Sequence, residues 1–175
     1  MIWEIATKNK LFKTYMGLGY YNTILPPVIQ RNVLENPNWY TSYTPYQAEI
    51  SQGRLETLLN FQTVVMDLTG MEIANASLLD EATAAAEAMI MLFNARSRAA
   101  VKEGRNKFFI DENVFPQTLA VLETRAESLG IQLSFGSYLE VRLDTSFFGA
   151  LVQYPAADGE IRDYTAFTRT AHDLE

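Results

Sequence analysis

Residues 40–54 read YTSYTPYQAEISQGR, and Tyr40, Tyr43 and Tyr46 recur at every third position with Gln47 and the Glu49 carboxylate just beyond. A phenol offers an apolar ring face and a hydroxyl that donates or accepts. A row of them suits an apolar partner that must also be held by hydrogen bonds. The spacing fits one face of a helix, but Pro45 keeps the stretch from being a regular one. A second cluster is ANASLLDEAT (74–83), with Asn75 and the hydroxyls of Ser77 and Thr83 ahead of an alanine-rich run. Unpaired amides at a helix start can hold a phosphate. Asp80 and Glu81 sit in the same turn, however, where they complement the helix dipole themselves and repel phosphate. Capping is therefore the preferred reading there. Two further segments, DENVFPQT (111–118) and QYPAADG (153–159), follow apolar runs. Asp111, Glu112 and Asn113 read as caps, and Asp158-Gly159 reads as a turn. No carboxylate pair stands out as an acid/base couple; Glu81 and Glu87 read as solvated.

The other reactive types narrow the field. Five lysines, Lys8, Lys10, Lys13, Lys102 and Lys107, lie among polar neighbours, without the apolar or glycine-serine setting that activates an amine. The single histidine, His172, has no Gly-x-Ser-x-Gly elbow to partner and reads as surface filling. There is no cysteine, which excludes disulfides, thiolate chemistry and cysteine-held metals. No metal site is expected. Gly17-Leu18-Gly19 lacks both a preceding strand and the third glycine of a dinucleotide fingerprint.

These groups need elements to hold them. Residues 2–13 are predicted as a short helix. PPVIQRNVLENP (26–37) is predicted as one that proline starts and Pro37 ends. In 51–70, Leu55, Leu58, Leu59, Gln62, Val65 and Met66 keep a 3-4 spacing and predict a helix with one buried face, Ser51 at its start and Gly70 at its stop. Residues 80–100 predict the longest-patterned helix, with Ala82, Ala85, Ala86, Met89, Leu92 and Phe93 inward. The second half alternates: strand 107–111, helix 116–130 with Leu119, Leu122, Ala126 and Leu129 inward, strand 131–135, strand 149–155 and helix 163–172. Strand, helix, strand in that order predicts a parallel sheet and an α/β fold. Ligands of such sheets collect at the carboxyl ends of the strands, where segments 74–83, 111–118 and 153–159 would all meet. Composition shifts near residue 70, so 1–70 is expected as an amino-terminal helical and loop segment and 71–175 as an α/β domain.

The 175 residues are 48% hydrophobic with a net charge of −7 and an isoelectric point near 4.8. That composition is globular. Without a basic stripe, nucleic acid is an unsuitable partner, and the negative balance disfavours an anionic membrane surface. No membrane-length apolar run or signal peptide is legible, so a cytoplasmic location is expected. The terminal Leu174-Glu175 reads either as natural sequence or as a cloning remnant.

The run GYYNTILPPVIQRNVLENPNWYTSYTPYQAEISQGRLETLLNFQTVVMDLTG, followed by ANASLLDEATAAAEAM, resembles the glycine decarboxylase (P-protein) family of the glycine cleavage system. It is similar to the amino-terminal half of that family, or to the first subunit of its two-subunit form. FPQTLAVLETRA and LVQYPAADGEIRDY continue the likeness in order. The resemblance implies part of a fold-type-I pyridoxal-phosphate transferase-like domain. It implies the reaction of glycine dehydrogenase (decarboxylating), in which glycine is decarboxylated and the aminomethyl group passes to the lipoyl arm of the H-protein. The family's cofactor lysine belongs to the other half, and no matching motif occurs here. The expectation is thus no catalytic residue in this chain alone and no covalently bound cofactor. Tyr43, Thr44, Tyr46, Gln47 and Glu49 would reach in trans to the neighbour's cofactor or line the lipoyl-arm channel. Asn75 and Ser77 follow from their motif. The alternative is a non-catalytic scaffold that binds the catalytic half or the H-protein. The chain is much shorter than the family's proteins, so a piece of one is expected, with an incomplete sheet and a tendency to self-associate.

Overall fold

The computed structural model describes residues 1–13, 15, 17, 18, 22–37 and 52–174. Its core is built around Phe108-Phe109-Ile110. These three are the middle of strand β1 (Lys107–Asp111), flanked in parallel by β2 (Gln132–Gly136) and β3 (Phe147–Leu151) in the order β2-β1-β3. Helix α6 (Pro116–Leu129) carries the chain from β1 to β2, as a parallel pair requires. The central strand is apolar on successive residues because both of its faces are covered. Phe108 and Ile110 join Ala86 and Met89 of helix α4 (Glu81–Ala95), Leu122 and Ala126 of α6, and Val114 and Ile131 in one buried cluster. Phe109, fully buried, turns the other way, its ring 5.7 Å from Phe167 of helix α7 (Thr165–His172). Burying each such side chain contributes about 1.5–3 kcal/mol. The parallel α/β sheet is the one the strand-helix-strand pattern predicts.

Proline and glycine punctuate α6 as expected. Pro116 opens it, and Gly130 closes it at φ 68°, its amide reaching back to the last turn. Leu129 departs from the expected inward set: it is 41% exposed, at the last residue of the helix. Strand β3 begins earlier than predicted, at Phe147, and ends at Leu151, before the residues that turn away towards Pro155.

The alanine-rich helix is shorter than its pattern. Asp80 caps α4, its carboxylate accepting from the Thr83 amide at 2.7 Å. The helix stops at Ala95, where Arg96 turns extended (ψ 139°). The Arg96 guanidinium lies 3.4 Å from the Phe93 ring centre and donates to the carbonyls of Phe93 and Arg105. Ser97 then caps a new helix, α5 (Arg98–Lys102), by accepting from the Ala100 amide. In the front of the chain, helix α1 spans only Ile2–Ala6. Its Ile2, Trp3 and Ile5 are exposed, so no packing supports a longer helix. Helix α2 (Pro27–Ile29) passes into a π-helical turn over Gln30–Leu34.

Helix α3 (Gln52–Thr69) ends as predicted at Gly70, φ 71°. Its expected buried face is only half-buried, at Leu55, Leu58, Gln62, Val65 and Met66, and Leu59 is 63% exposed. Gln62 ties the helix to the connection that follows it, its amide donating to the Ala74 carbonyl at 2.7 Å. Ser51, the expected cap of this helix, lies outside the described residues. No described helix is long and apolar enough to cross a membrane.

Candidate functional site

At the carboxyl ends of the strands two of the segments singled out in the sequence, 111–118 and 153–159, converge, and the third, 74–83, reaches them only through Glu81. Glu81 and Ala85 of α4, Val114, Phe115 and Thr118 where β1 passes into α6, and Leu151 to Ala156 with Gly159 at and beyond the end of β3 line a cleft of about 480 Å³. Its walls come from different parts of the chain, and two polar side chains tie them together. Asp111, 1% exposed at the end of β1, accepts from the Asn113 amide (3.0 Å) with one oxygen and from the Tyr138 amide (2.9 Å) with the other. It therefore joins the exits of β1 and β2, and does not cap α6. Gln153 does the same across β3. Its side-chain oxygen accepts from the Phe115 amide (3.0 Å), its nitrogen donates to the Pro155 carbonyl (3.2 Å), and its own carbonyl accepts from the Tyr164 hydroxyl (3.1 Å). The Ala157 amide adds a bond to the Asn113 carbonyl. The Tyr154–Pro155 peptide is cis.

The charges around the cleft are mostly committed. Asp80 is held below the usual carboxylate range by the hydrogen bond from Thr83. In the turn after Ala156, Gly159 takes φ 82°, and Asp158 accepts from the Glu160 amide, which lowers its carboxyl; the nearby Arg162 lowers it further. Arg162 pairs with Asp158 and with Glu160 (3.0 Å). Burial holds the Tyr164 phenol above its ordinary value, with Arg162 opposing and the Asp111 carboxylate reinforcing the shift. A smaller cavity of about 220 Å³ lies between β3 and α7, bordered by Arg105, Asp144 and the exposed His172.

The fate of the sequence candidates divides in three. Tyr43, Thr44, Tyr46, Gln47 and Glu49 lie outside the described residues. Asn75 and Ser77 are exposed on the connection between α3 and α4 and do not line the cleft. The strand-end segments do line it. Sequence reasoning passed over Asp111 and Gln153 as ties and Thr118 as a lining residue. The available signal was a polar residue closing each apolar strand run, KFFID and LVQ. Among the described residues no group of three or more histidine, aspartate or glutamate side chains is placed to hold a metal.

Comparison with known proteins covers the chain from end to end. The family described as "Glycine cleavage system P-protein" matches residues 1–175. A protein named glycine dehydrogenase (decarboxylating) from Bacteroides thetaiotaomicron is 59% identical over 172 residues, 98% of this chain and 18% of its own length. One of the same name from Synechocystis is 61% identical over 169 residues, 97% of this chain and 17% of its own. A crystal structure of glycine decarboxylase (P-protein) of the glycine cleavage system, in inhibitor-bound form, superposes with a TM-score of 0.78 at 30% identity, covering 99% of this chain and 39% of that one. This chain thus spans about 18% of the length of the curated relatives it matches.

Proposed function

Because the chain belongs to the glycine cleavage system P-protein family, we propose that it works as part of a longer glycine dehydrogenase (decarboxylating), beside residues that complete the active site. The observation that carries this reading is identity near 60% along almost the whole chain to enzymes of that name. In this reading, pyridoxal phosphate supplies the electron sink for decarboxylating glycine, and the aminomethyl group passes to the lipoylated H-protein. The described residues do not fit that cofactor. No lysine lines the cleft, and Asp80 and Glu81 occupy the helix start where a phosphate would sit. The cofactor is therefore assigned to the other half or second subunit. This chain's contribution is assigned to Tyr43, Thr44, Tyr46, Gln47 and Glu49, which would supply ring faces, hydroxyls and a carboxylate in trans. Asn75 and Ser77 are held as secondary candidates. Residues 1–70 would be the contacting segment and 71–175 the partial α/β domain.

A second reading, a scaffold that only joins the parts, is favoured by one observation. The front of the chain exposes many large apolar side chains, among them Trp3 at 79%, Leu11 at 98% and Ile24 at 95%. Surfaces of that kind are covered in an assembly. The two readings separate in the full-length enzyme. With Tyr46→Phe and Glu49→Gln, the trans-site reading expects glycine decarboxylation to fall roughly tenfold or more in kcat/KM, with sedimentation of the assembly unchanged. Unchanged turnover with weakened assembly would establish the scaffold instead. A companion measurement is borohydride reduction of the 175-residue chain mixed with pyridoxal phosphate, followed by intact mass. No stoichiometric lysine adduct is expected; an adduct on one lysine would move the cofactor site into this chain.

A further inference from the structure

The strand-end cleft has two polar groups that the fold does not use. Thr118, in the first turn of α6, is only 5% exposed and lines the cleft, yet its hydroxyl makes no hydrogen bond to a described residue. Glu81, at the first position of α4, is exposed on the rim and has neither an ion pair nor a side-chain hydrogen bond to a described residue. Of the other polar groups near them, Gln153 is used at both ends of its amide and Asp80 by Thr83, while Arg162 pairs with two carboxylates through Nη2 and keeps Nη1 buried without a partner. The rest of the lining is aliphatic, with Ala85, Val114, Leu151 and Pro155 prominent.

We infer that this cleft binds a small aliphatic ammonium. The charged head needs acceptors and offers only donors. A free carboxylate and a free hydroxyl oxygen meet that need, while the carbon stem covers the aliphatic wall. The same charges turn an anion away: Asp80 and Glu81 both sit at the start of α4, and the chain as a whole carries −7. The inference rests on the cleft alone and stands or falls separately from the trans-site reading.

Hexylammonium chloride is the probe, with hexanoate as its charge-reversed counterpart, titrated into the full-length protein and followed by ¹³C-methyl NMR of its assigned alanine, valine and leucine methyl groups. Shifts confined to Ala85, Val114 and Leu151 are expected, with a Kd on the order of 1 mM and hexanoate binding at least about threefold more weakly. Glu81→Gln should weaken hexylammonium roughly three- to fivefold and level the two probes, and Glu81→Asp should restore the difference. Thr118→Val, which keeps the side-chain shape, should weaken hexylammonium in a background where Glu81 is intact. It tests the site even if the helix-start variants perturb folding. Equal affinity for the two probes, indifference to both Glu81→Gln and Thr118→Val, or no shift at the three methyl groups would overturn the inference.

Discussion

Single residues decide how tightly this sheet can close. Gly149 of β3 sits opposite Phe108, and a Cβ there would stand 2.8 Å from the Phe108 ring and 2.9 Å from Leu92. Leu92 is 40% exposed and can swing aside, but Phe108 is buried at 2% and cannot. Gly149→Ala should therefore cost about 1–3 kcal/mol through overpacking, read as a lower urea midpoint at unchanged slope. Asp111 makes a different demand. Both of its oxygens accept a backbone N–H, and an asparagine has only one oxygen to offer. Asp111→Asn leaves one buried amide without a partner, at about 1–3 kcal/mol. Hydrogen exchange should quicken at Asn113 or Tyr138 before it does in the helices. Unchanged protection at both amides would show that the tie is dispensable.

At the scale of elements, α4 illustrates how a cap links stability to pH. Hydrogen bonding from Thr83 lowers the Asp80 carboxyl in the folded state. The cap's contribution is thus complete above the ordinary aspartate value and is lost as pH falls through the lower folded value. Asp80→Asn, which still accepts from Thr83, should flatten that part of the acid limb in thermal melts taken from pH 5 downwards. The elements most legible in the sequence were those with both an apolar period and punctuation, such as α6 between Pro116 and Gly130 or β1 as an unbroken apolar run. The break at Arg96 was hidden because ARSRAA has good helix formers on either side of Ser97, and the bond that holds the turn, from Arg96 to the Arg105 carbonyl, comes from nine residues away. The face of α3 was legible as a period, but burial depends on a neighbour, and periodicity names none. The strand-end rule located the cleft, yet its ties span 27 residues from Asp111 to Tyr138 and 38 from Phe115 to Gln153. Local spacing carries no information on pairs that far apart.

The whole molecule has a well-covered centre and an apolar periphery. Phe108, Phe109, Met89 and Leu122 are sealed, while Ile2, Trp3, Leu11, Phe12 and Ile24 face outward. The 175-residue chain on its own should bind a hydrophobic dye and sediment above its 19.8 kDa mass; a monodisperse monomer with no dye uptake would contradict that. The order β2-β1-β3 also fixes a schedule on the ribosome. The central strand is synthesised first, and both of its neighbours come later, the second complete only about forty residues downstream, at Leu151. At translation rates of 5–20 residues per second that is a delay of roughly two to eight seconds. The strands leave the ribosome in that same order, so Phe108-Phe109-Ile110 emerges that long before its final neighbours, which makes the nascent strand a natural client for a ribosome-associated chaperone.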